Sequence, residues 1–378
     1  VVGAGERAGG AVGAGRGVPG GAGGDAGGDL EAGAGAAGGD AAAGSRRAEF
    51  VQQYQQHNKN KLRIQDIVEK YNCADIPSEE RTEFTDMEFV RNGKVRDIYR
   101  RDDSSDTLVL SATNRLTSFD RYMCDVEYKG QILNKISLWW FKQLRHLVPN
   151  HLFWDEEHQT YKMLNDHSVE VKKCEPFKIE FVMRSYLTGS TNTSIWKNYE
   201  KGVREYCGHH LEDGMVRNQR LPKVLLTPTT KDEHDELISA RELIEQGYIT
   251  QEEWDMCEEY SHKIFAEGQR VAAEKGMILV DTKYEFGKTS DGQIVLIDEV
   301  HTPYSSRYWF LHNYEERFVN QQEPESIDKE AIRKWVRKNY EDPYDLTTEI
   351  VIPQEMVDLV QRRYMQLYEI ITSEVFSF

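Results

Sequence analysis

The chain has 378 residues, 39% of them hydrophobic and 11% aromatic, a composition typical of a globular protein with a sizeable core. Its formal net charge of -17 argues against broad electrostatic binding to nucleic acid or to an anionic membrane, because both favour a basic surface. No apolar run approaches the roughly 18 residues of a membrane-spanning helix. The five cysteines form no C-x-x-C pair, which favours a reducing compartment and buried structural thiols over disulfides or a catalytic cysteine.

Glycine and alanine dominate residues 1–47, which hold few large apolar side chains to bury. Such a segment cannot offset its chain entropy, so we expect it to be disordered. It contains no signal-peptide hydrophobic stretch, and its acidic residues and low serine content give only weak support to an organellar transit peptide. Residues 48–84 follow as a predicted helical lead-in, because 61–72 shows an amphipathic helix pattern.

The rest of the chain mixes β-rich and helical patterns. Apolar periodicity predicts strands within 87–100 and 107–114, a helix at 131–148, and a strand at 177–190 that ends in a turn of small residues. The tail, 326–378, predicts two further helices. No pattern indicates an oligomeric state.

The helix expected between 250 and 276 has the clearest end signals. Thr250 and Glu253 form a capping box at its start, and Gly276 can close its C-terminal end. Six residues recur at steps of three and four and should form one buried face: Trp254, Cys257, Ser261, Ile264, Gly268 and Val271.

The strand predicted at 279–287 carries three charges on one face. Side chains alternate across a strand, so Asp281, Lys283 and Glu285 point to the same side. A surface strand with a solvated face is the simplest interpretation of this pattern. The alternative is one wall of a polar site, and the residues that follow the strand favour that alternative.

The next segment predicts a hairpin that brings two acids together. Asp291 and Gly292 are a strong signal for a two-residue turn, and that turn places Glu285 directly opposite Asp298. Two like charges in that relation destabilise a hairpin unless a cation compensates them. Because Mg2+ takes oxygen ligands, the pair predicts a Mg2+ site, and the alternative is two acids splayed into solvent.

The small-residue turn at 187–190 leads into a predicted helix, where backbone N–H groups and hydroxyls can close on an anion. Glu180 and Arg184 share a face of the preceding strand, so the arginine can point toward the same place. A plain helix cap is the competing explanation of this turn.

Two other segments offer cations to phosphates. Gly93 precedes a stretch in which Lys94 and Arg96 share one strand face, as in a hairpin that lies over nucleotide phosphates. The stretch lacks a full G-x-G-x-x-G and is not a Walker loop, and a charged edge strand would show the same pattern. Further along, Ser306 and Arg307 lie in a predicted turn that could hold another phosphate.

Over about residues 85–378 the chain resembles the SAICAR synthetase family of purine biosynthesis. The resemblance rests on four stretches that occur in family order: GKVRDIY at 93–99, FKIEFVMRSYLTGS at 177–190, LVDTKYEFG at 279–287 and LIDEVHTPYSSRYW at 296–309. The segments TGSTNTSIW and LPKVLLTPTTK are most similar to the plant-type and long bacterial branch of that family.

The resemblance implies an α+β fold with an N-terminal antiparallel lobe at 85–176 that covers the nucleotide. A central α/β lobe at 177–310 would bind ATP, and helices would follow at 311–378. The implied activity is that of an ATP-dependent ligase, with ATP and Mg2+ as cofactors, that joins L-aspartate to the carboxylate of carboxyaminoimidazole ribonucleotide through an acyl phosphate. The implied compartment is the cytoplasm, or a plastid if 1–47 is part of a targeting segment.

The resemblance also implies roles for single residues. Asp281 and Lys283 border the reacting carboxylate. The residues that contact the nucleotide are Lys94, Arg96, Glu285 and Asp298, the last two as Mg2+ ligands. The substrate-binding residues are Glu180, Arg184, Ser190, Ser306 and Arg307 and, from the segments 118–121 and 129–134, Asp120 and Lys129.

One residue departs from the family pattern. Where the family usually reads T-P-D-S-S-R, this chain has Tyr304 in place of the carboxylate. The exchange removes a charge from the substrate loop and adds a ring, so we expect weaker substrate binding and an intact ATP and Mg2+ site. Two other functions stay open, namely a related ATP-dependent small-molecule kinase and a nucleotide-binding pseudoenzyme.

Overall fold

The computed structural model describes residues 84–102, 106–231, 235–327 and 329–378. The predicted disordered segment 1–47 and the amphipathic helix at 61–72 lie outside these residues. The described strands are β1 (Glu88–Asn92), β2 (Arg96–Arg100), β3 (Thr107–Ala112), β4 (Arg115–Ser118), β5 (Arg121–Asp125), β6 (Trp154–Asp155), β7 (Thr160–Tyr161), β8 (Met163–Asn165), β9 (Ser168–Lys172), β10 (Glu175–Pro176), β11 (Ile179–Tyr186), β12 (Glu205–Tyr206), β13 (His209–His210), β14 (Arg220–Leu226), β15 (Thr229–Thr230), β16 (Met277–Lys288), β17 (Ile294–Ile297) and β18 (Ser306–Phe310). The described helices are α1 (Lys129–Leu144), α2 (Ile195–Glu200), α3 (Ala240–Glu245), α4 (Gln251–Glu274), α5 (Leu311–Val319), α6 (Glu330–Asn339) and α7 (Gln354–Thr372).

The N-terminal sheet has five antiparallel strands in the order β1-β2-β3-β9-β8. The strands predicted within 87–100 and 107–114 are therefore confirmed. Val109 of β3 and Val171 of β9 are buried, whereas β1 is exposed along its length. Gly93 makes the tight turn before β2, since a Cβ on it would lie only 2.6 Å from the carbonyl oxygen of Arg96. This turn carries Lys94, and Arg96 begins β2.

The central sheet has seven strands, and β16 is its longest. The first half of β16 pairs with β11 and β18, and its second half pairs with β10 and β17, all in antiparallel register. Asp281 and Glu285 are only 9% and 6% exposed, so the interpretation of a solvated surface strand is wrong. The charged face of β16 is instead an interior wall.

Helix α4 packs against β16 and β11 with the face that its sequence predicts. The capping box of Thr250 and Glu253 is present, and all six residues of the predicted face are buried. Gly276 follows the helix with φ +82°, a conformation that favours glycine. Gly268 allows a close approach, because a Cβ there would lie 2.3 Å from Cε1 of His301.

The hairpin between β16 and β17 has a different register from the predicted one. Glu285 lies opposite Ile297, not Asp298, and every opposed pair is shifted by one residue. The loop closes where the N–H of Thr289 donates to the carbonyl of Gln293 at 3.0 Å, which leaves three loop residues instead of two. Gly292, at φ +83°, takes the left-handed position that a three-residue loop requires, so the two-residue turn is wrong.

The helical predictions hold with small changes. The helix predicted at 131–148 is present as α1 but ends at Leu144. A helix cannot easily continue to Val148, because the residue before a proline, here Pro149, disfavours helical backbone angles. Helices α6 and α7 confirm the two helices of the tail, and α5 precedes them within 311–378, where the resemblance implied helices, although the apolar pattern predicted none at 311–319. Helix α7 packs on α1, which joins the tail to the main core. Within the described part of the chain, no helix is long and apolar enough to cross a membrane.

Candidate active site

A cavity of about 560 Å3 opens where the N-terminal strands, the central sheet and the C-terminal helices approach one another. Eight of the predicted site residues line it. Six come from the central region: Glu180, Arg184, Asp281, Lys283, Ser306 and Arg307. Lys94 and Asp120 reach it from the N-terminal region and form an exposed ion pair at 3.2 Å. The structure therefore brings eight of the predicted residues together around one cavity.

The other five predicted residues do not line the cavity. They are Arg96, Lys129, Ser190, Glu285 and Asp298. Three of them lie against lining residues: Glu285 bonds to Lys283, Lys129 lies under the ring of Tyr304, and Ser190 lies beside Glu330. The remaining two, Arg96 and Asp298, pair with each other.

Lys283 is the centre of the charged group on β16. Its ammonium donates to Glu180 at 2.8 Å and to Glu285 at 2.9 Å, and Lys231 contacts the other oxygen of Glu285. Burial alone would lower the pKa of Lys283, but Glu180 and Glu285 outweigh burial and raise it well above the ordinary value. Burial would likewise raise the pKa of Glu285, yet the two lysines lower it to about 2. Both groups are therefore charged at neutral pH.

Asp298 lies in a loop that holds an acid-rich corner of the site. Arg96 donates to Asp298 at 2.9 Å and contacts Glu299 at 3.4 Å. Burial raises the pKa of Asp298, Arg96 opposes that rise, and the negative charges of Glu285 and Glu299 add to it. Asp298 thus feels the charge of Glu285 although the two are not directly opposed in the hairpin. Added positive charge at this corner would stabilise the ionised acids.

A row of alternating charges crosses the other side of the cavity. Arg307 contacts Asp281 and lies 3.5 Å from Glu330, and Arg184 lies 3.9 Å from Asp281. Arg184 also donates to the hydroxyl of Thr227 at 2.9 Å. Burial would raise the pKa of Glu330, but Arg307 and Arg333 lower it to about 2. Two arginines are thus held by acids with their guanidinium groups at the cavity.

Hydroxyl groups lie beside this row. The hydroxyl of Ser306 shares a hydrogen bond of 2.8 Å with Thr282, and Ser190 is buried next to Glu330, where it helps to lower the pKa of that acid after the two arginines. A phosphate group needs donors of this kind around two fixed cations. The row and its hydroxyls therefore form a suitable anion site.

Tyr304, the residue that departs from the family pattern, lines the cavity between two lysines. Lys129 lies 4.9 Å and Lys329 lies 3.5 Å from the centre of its ring, and its hydroxyl bonds to Thr117. Lys129 is fully buried and donates to the carbonyl of Thr113 at 3.1 Å, and burial lowers its pKa to about 7. The ring thus separates Lys129 from the cavity.

Sequence reasoning missed four charged residues of the cavity lining. They are Asp235, Lys329, Glu330 and Arg333. Lys329 and Arg333 are four residues apart at the start of α6, which puts them on one helix face. That spacing was visible in the sequence, but only the packing of α6 reveals which way the face points.

The four described cysteines do not act at this site. Cys124, Cys174, Cys207 and Cys257 are unpaired, and the cavity lining includes none of them. Burial raises the pKa of each thiol, to about 11 for Cys124 and Cys207. A raised pKa disfavours the reactive thiolate, so these cysteines fit the structural role expected of them.

The model of the family described as SAICAR synthetase matches residues 89–349. The chain belongs to the SAICAR synthetase family. Among its relatives is a phosphoribosylaminoimidazole-succinocarboxamide synthase of Legionella pneumophila (strain Paris), 49% identical over 288 residues, which are 76% of this chain and 88% of the relative. The chloroplastic enzyme of that name from Arabidopsis thaliana is 50% identical over 281 residues, 74% of this chain and 66% of the relative.

Solved structures agree with the family assignment. The SAICAR synthase of Saccharomyces cerevisiae complexed with SAICAR has a TM-score of 0.64 and 30% identity, over 79% of this chain and 99% of the yeast chain. A type-2 SAICAR synthetase in complex with ADP has a TM-score of 0.56 at 23% identity, and so supports the fold alone. The expected α+β fold is confirmed. The family acts in purine biosynthesis, and the chain is an ATP-dependent ligase that acts on small molecules.

Proposed function

We propose that the cavity is where the chain joins L-aspartate to the carboxylate of carboxyaminoimidazole ribonucleotide, by way of an acyl phosphate. The observation that carries this proposal is the meeting of two charge arrangements in one cavity. The Lys283 group, with Glu180 and Glu285, suits a phosphoryl transfer, and the Arg184–Asp281–Arg307 row suits a bound phosphate ester.

The ribonucleotide phosphate would bind at the charge row. Arg184 and Arg307 supply the guanidinium groups, and Ser306 and Ser190 supply hydroxyls close to them. Asp281 and Glu330 hold the two arginines in place before the substrate arrives, which reduces the ordering that binding requires. This arrangement would place the rest of the ribonucleotide toward Lys283.

The residues at the corner of Glu285 and Asp298 fit a hard cation. Glu285 is buried and Asp298 is partly buried, and the charge of Glu285 contributes to the raised pKa of Asp298. Mg2+ is often held by one or two carboxylates together with substrate phosphates and water, so this pair suffices. When bound there, Mg2+ would neutralise charge on the nucleotide phosphates. We propose Glu285 and Asp298 as its ligands and Arg96 as the residue that orients Asp298.

Lys283 would act as a fixed positive charge beside the reacting carboxylate. Because its pKa is raised, it stays protonated and can donate to oxygens that gain charge during phosphoryl transfer. Asp281 borders the same space. Lys94 is largely exposed on its turn, where its long side chain can reach the nucleotide phosphates. Asp120 completes the proposed substrate set at the cavity, and Lys129, separated from the cavity by the Tyr304 ring, would act on the substrate through that ring.

The lobe boundaries and the compartment are also proposals. We assign 85–176 to a lobe that covers the nucleotide, 177–310 to the ATP and substrate lobe, and 311–378 to helices that complete the cavity. The chloroplastic relative favours a plastid over the cytoplasm, and imaging of the full chain fused to a fluorescent protein tests this.

The proposed reaction can be tested with the purified full chain. ADP release is measured with Mg-ATP and carboxyaminoimidazole ribonucleotide, with and without L-aspartate, and the product is identified by mass. We expect ADP release that depends on aspartate and matches formation of the succinocarboxamide. ADP release that instead requires a hydroxyl acceptor would support the kinase, and nucleotide binding without turnover would support the pseudoenzyme.

A further inference from the structure

Lys329 is a cation in the cavity that forms no ion pair with any described carboxylate. Its ammonium lies 3.5 Å from the centre of the Tyr304 ring. Among residues 84–102, 106–231, 235–327 and 329–378, no carboxylate lies within 4.0 Å of it. The other cations at this end are paired, Arg307 with Asp281 and Arg333 with Glu330.

An unbalanced ammonium in a partly buried place is costly without a ligand. Lys329 is half-buried, and burial together with the nearby Arg333 lowers its pKa well below the ordinary value, although the charge of Glu299 opposes this shift. An anion bound beside it would remove this penalty and restore the ordinary charge state. The position therefore suits a negatively charged group of a ligand.

Arg333 adds donors of fixed geometry to the same place. It lies one helical turn after Lys329 and lines the same cavity. Its Nε donates to the hydroxyl of Ser118 at 3.1 Å, and its Nη1 is 3.5 Å from Glu330. These contacts hold the guanidinium through Nε and Nη1, and no contact of Nη2 with the described residues uses its donors, so Nη2 can donate to a ligand. A carboxylate is the planar acceptor that matches an arginine beside a lysine.

The other acidic groups of the proposed substrates already have binding residues assigned to them. The ribonucleotide phosphate takes the row of Arg184 and Arg307, and the reacting carboxylate and the nucleotide phosphates take the Lys283 region. The carboxylates of the amino acid are what remain. We propose that Lys329 and Arg333 bind a carboxylate of the amino-acid substrate and that Tyr304 positions Lys329. This inference rests on the proposed function, which supplies the identity of the ligand.

The test compares single variants of the full chain by titrating L-aspartate at saturating ATP and ribonucleotide. Lys329→Gln should raise the KM for aspartate by about tenfold or more, the loss expected for one charge-assisted hydrogen bond. The KM for the ribonucleotide should stay within about twofold, because its phosphate binds elsewhere. Lys329→Arg should recover part of the loss. Lys338→Gln, an exposed change on the same helix, is the matched control and should alter neither constant.

The positioning role of Tyr304 has its own pair of variants. Tyr304→Leu removes the aromatic face and should raise the KM for aspartate by about threefold to tenfold, the range of one cation–π contact. Tyr304→Phe keeps the ring and should retain most of the affinity. An equal loss in both variants would show that the hydroxyl bond to Thr117 matters and the ring does not.

Three results would overturn the inference or separate it from the proposed function. An unchanged KM for aspartate in Lys329→Gln, or an equal rise in the KM of all three substrates, contradicts a carboxylate site. Succinate, which has both carboxylates and no amine, provides a readout without turnover: calorimetric titration should detect its binding to the wild type and a loss in Lys329→Gln. Succinate binding without aspartate-dependent turnover would reject the proposed function and keep this site.

Discussion

The two ends of the cavity balance their charges in different ways. At the sheet end, Lys283 donates to Glu180 and Glu285 at 2.8 and 2.9 Å, so the charges satisfy one another without a ligand. At the helix end, the ammonium of Lys329 lies 3.5 Å from the centre of the Tyr304 ring, and no described carboxylate pairs with it. The first arrangement is complete in the free protein, and the second is completed by a ligand.

This difference indicates where the protein holds its catalytic charge and where it leaves room for binding. A charge that must act on the reacting atoms benefits from fixed partners, since it need not reorganise during the reaction. A cation that binds a substrate carboxylate must instead keep hydrogen-bond donors that no protein acid occupies. Loss of a residue at the sheet end should therefore affect both stability and turnover, whereas loss of Lys329 at the helix end should mainly affect the KM for aspartate.

The largest effect is expected for Lys283→Met. The change leaves Glu180 and Glu285 buried without their shared cation, so we expect unfolding free energy to fall by about 3–5 kcal/mol. Turnover should fall about 100- to 1,000-fold, since one fixed charge at the reacting carboxylate is lost. Denaturant unfolding and steady-state kinetics measure the two effects.

The matched control is Lys288→Met, on the same strand. Lys288 pairs with Glu253 at the far end of β16, away from the cavity. Its loss should change stability by less than about 1 kcal/mol and leave turnover unchanged. Equal effects of the two variants on stability and turnover would contradict a particular role for Lys283 at the sheet end of the cavity.

An intermediate effect is expected from the titration of Glu330. The native environment lowers the pKa of Glu330 from its ordinary value of 4.5 to about 2. The unfolded chain therefore takes up this proton first as pH falls, so stability from this carboxylate is complete above pH 4.5 and is lost as pH approaches 2. Its contribution at neutral pH is on the order of 3 kcal/mol.

Urea unfolding between pH 6 and pH 3 measures this contribution. Glu330→Gln should be less stable than the wild type at pH 6, and the difference should shrink toward pH 3. Glu369→Gln, on α7, lies outside the cavity lining and serves as a reference. A difference that stays constant with pH would contradict a role for the charge of Glu330.

The smallest effect is expected for Tyr304→Asp, which sharpens the comparison at the helix end. A carboxylate at this position would lie near Lys129 and Lys329 and balance part of their charge. The KM for aspartate should rise a few-fold because Lys329 would pair with the new carboxylate and be less available to the substrate. The KM for the ribonucleotide should fall because the carboxylate that the family usually has at this position is restored. The KM for ATP should not change. Identical constants for both proteins would remove Tyr304 from any role in substrate binding.

Much of the fold and the sheet end of the site followed from local patterns. The capping box and apolar spacing of α4 depend on residues within one helix, and the shared face of Asp281, Lys283 and Glu285 follows from strand alternation alone. The hairpin register failed because one added loop residue shifts every pair, and sequence signals for two- and three-residue turns overlap at Gly292.

The helix end could not be predicted in the same way. Lys329 and Arg333 follow the sheet residues in the chain, and their role depends on how α6 packs over the cavity. The screening of Lys129 by Tyr304 likewise depends on contacts between residues far apart in sequence. Such placements come from tertiary packing, which neither helical periodicity nor composition encodes.

The central claim is that the carboxylate of the ribonucleotide is activated as an acyl phosphate in this cavity. The most direct test uses carboxyaminoimidazole ribonucleotide with 18O in its carboxylate, and follows the label into inorganic phosphate during turnover with ATP and L-aspartate. Phosphoryl transfer to a carboxylate oxygen, followed by attack of the amine, releases phosphate that carries that oxygen. We predict one 18O atom in each phosphate released, and unlabelled phosphate formed together with the succinocarboxamide would contradict the account.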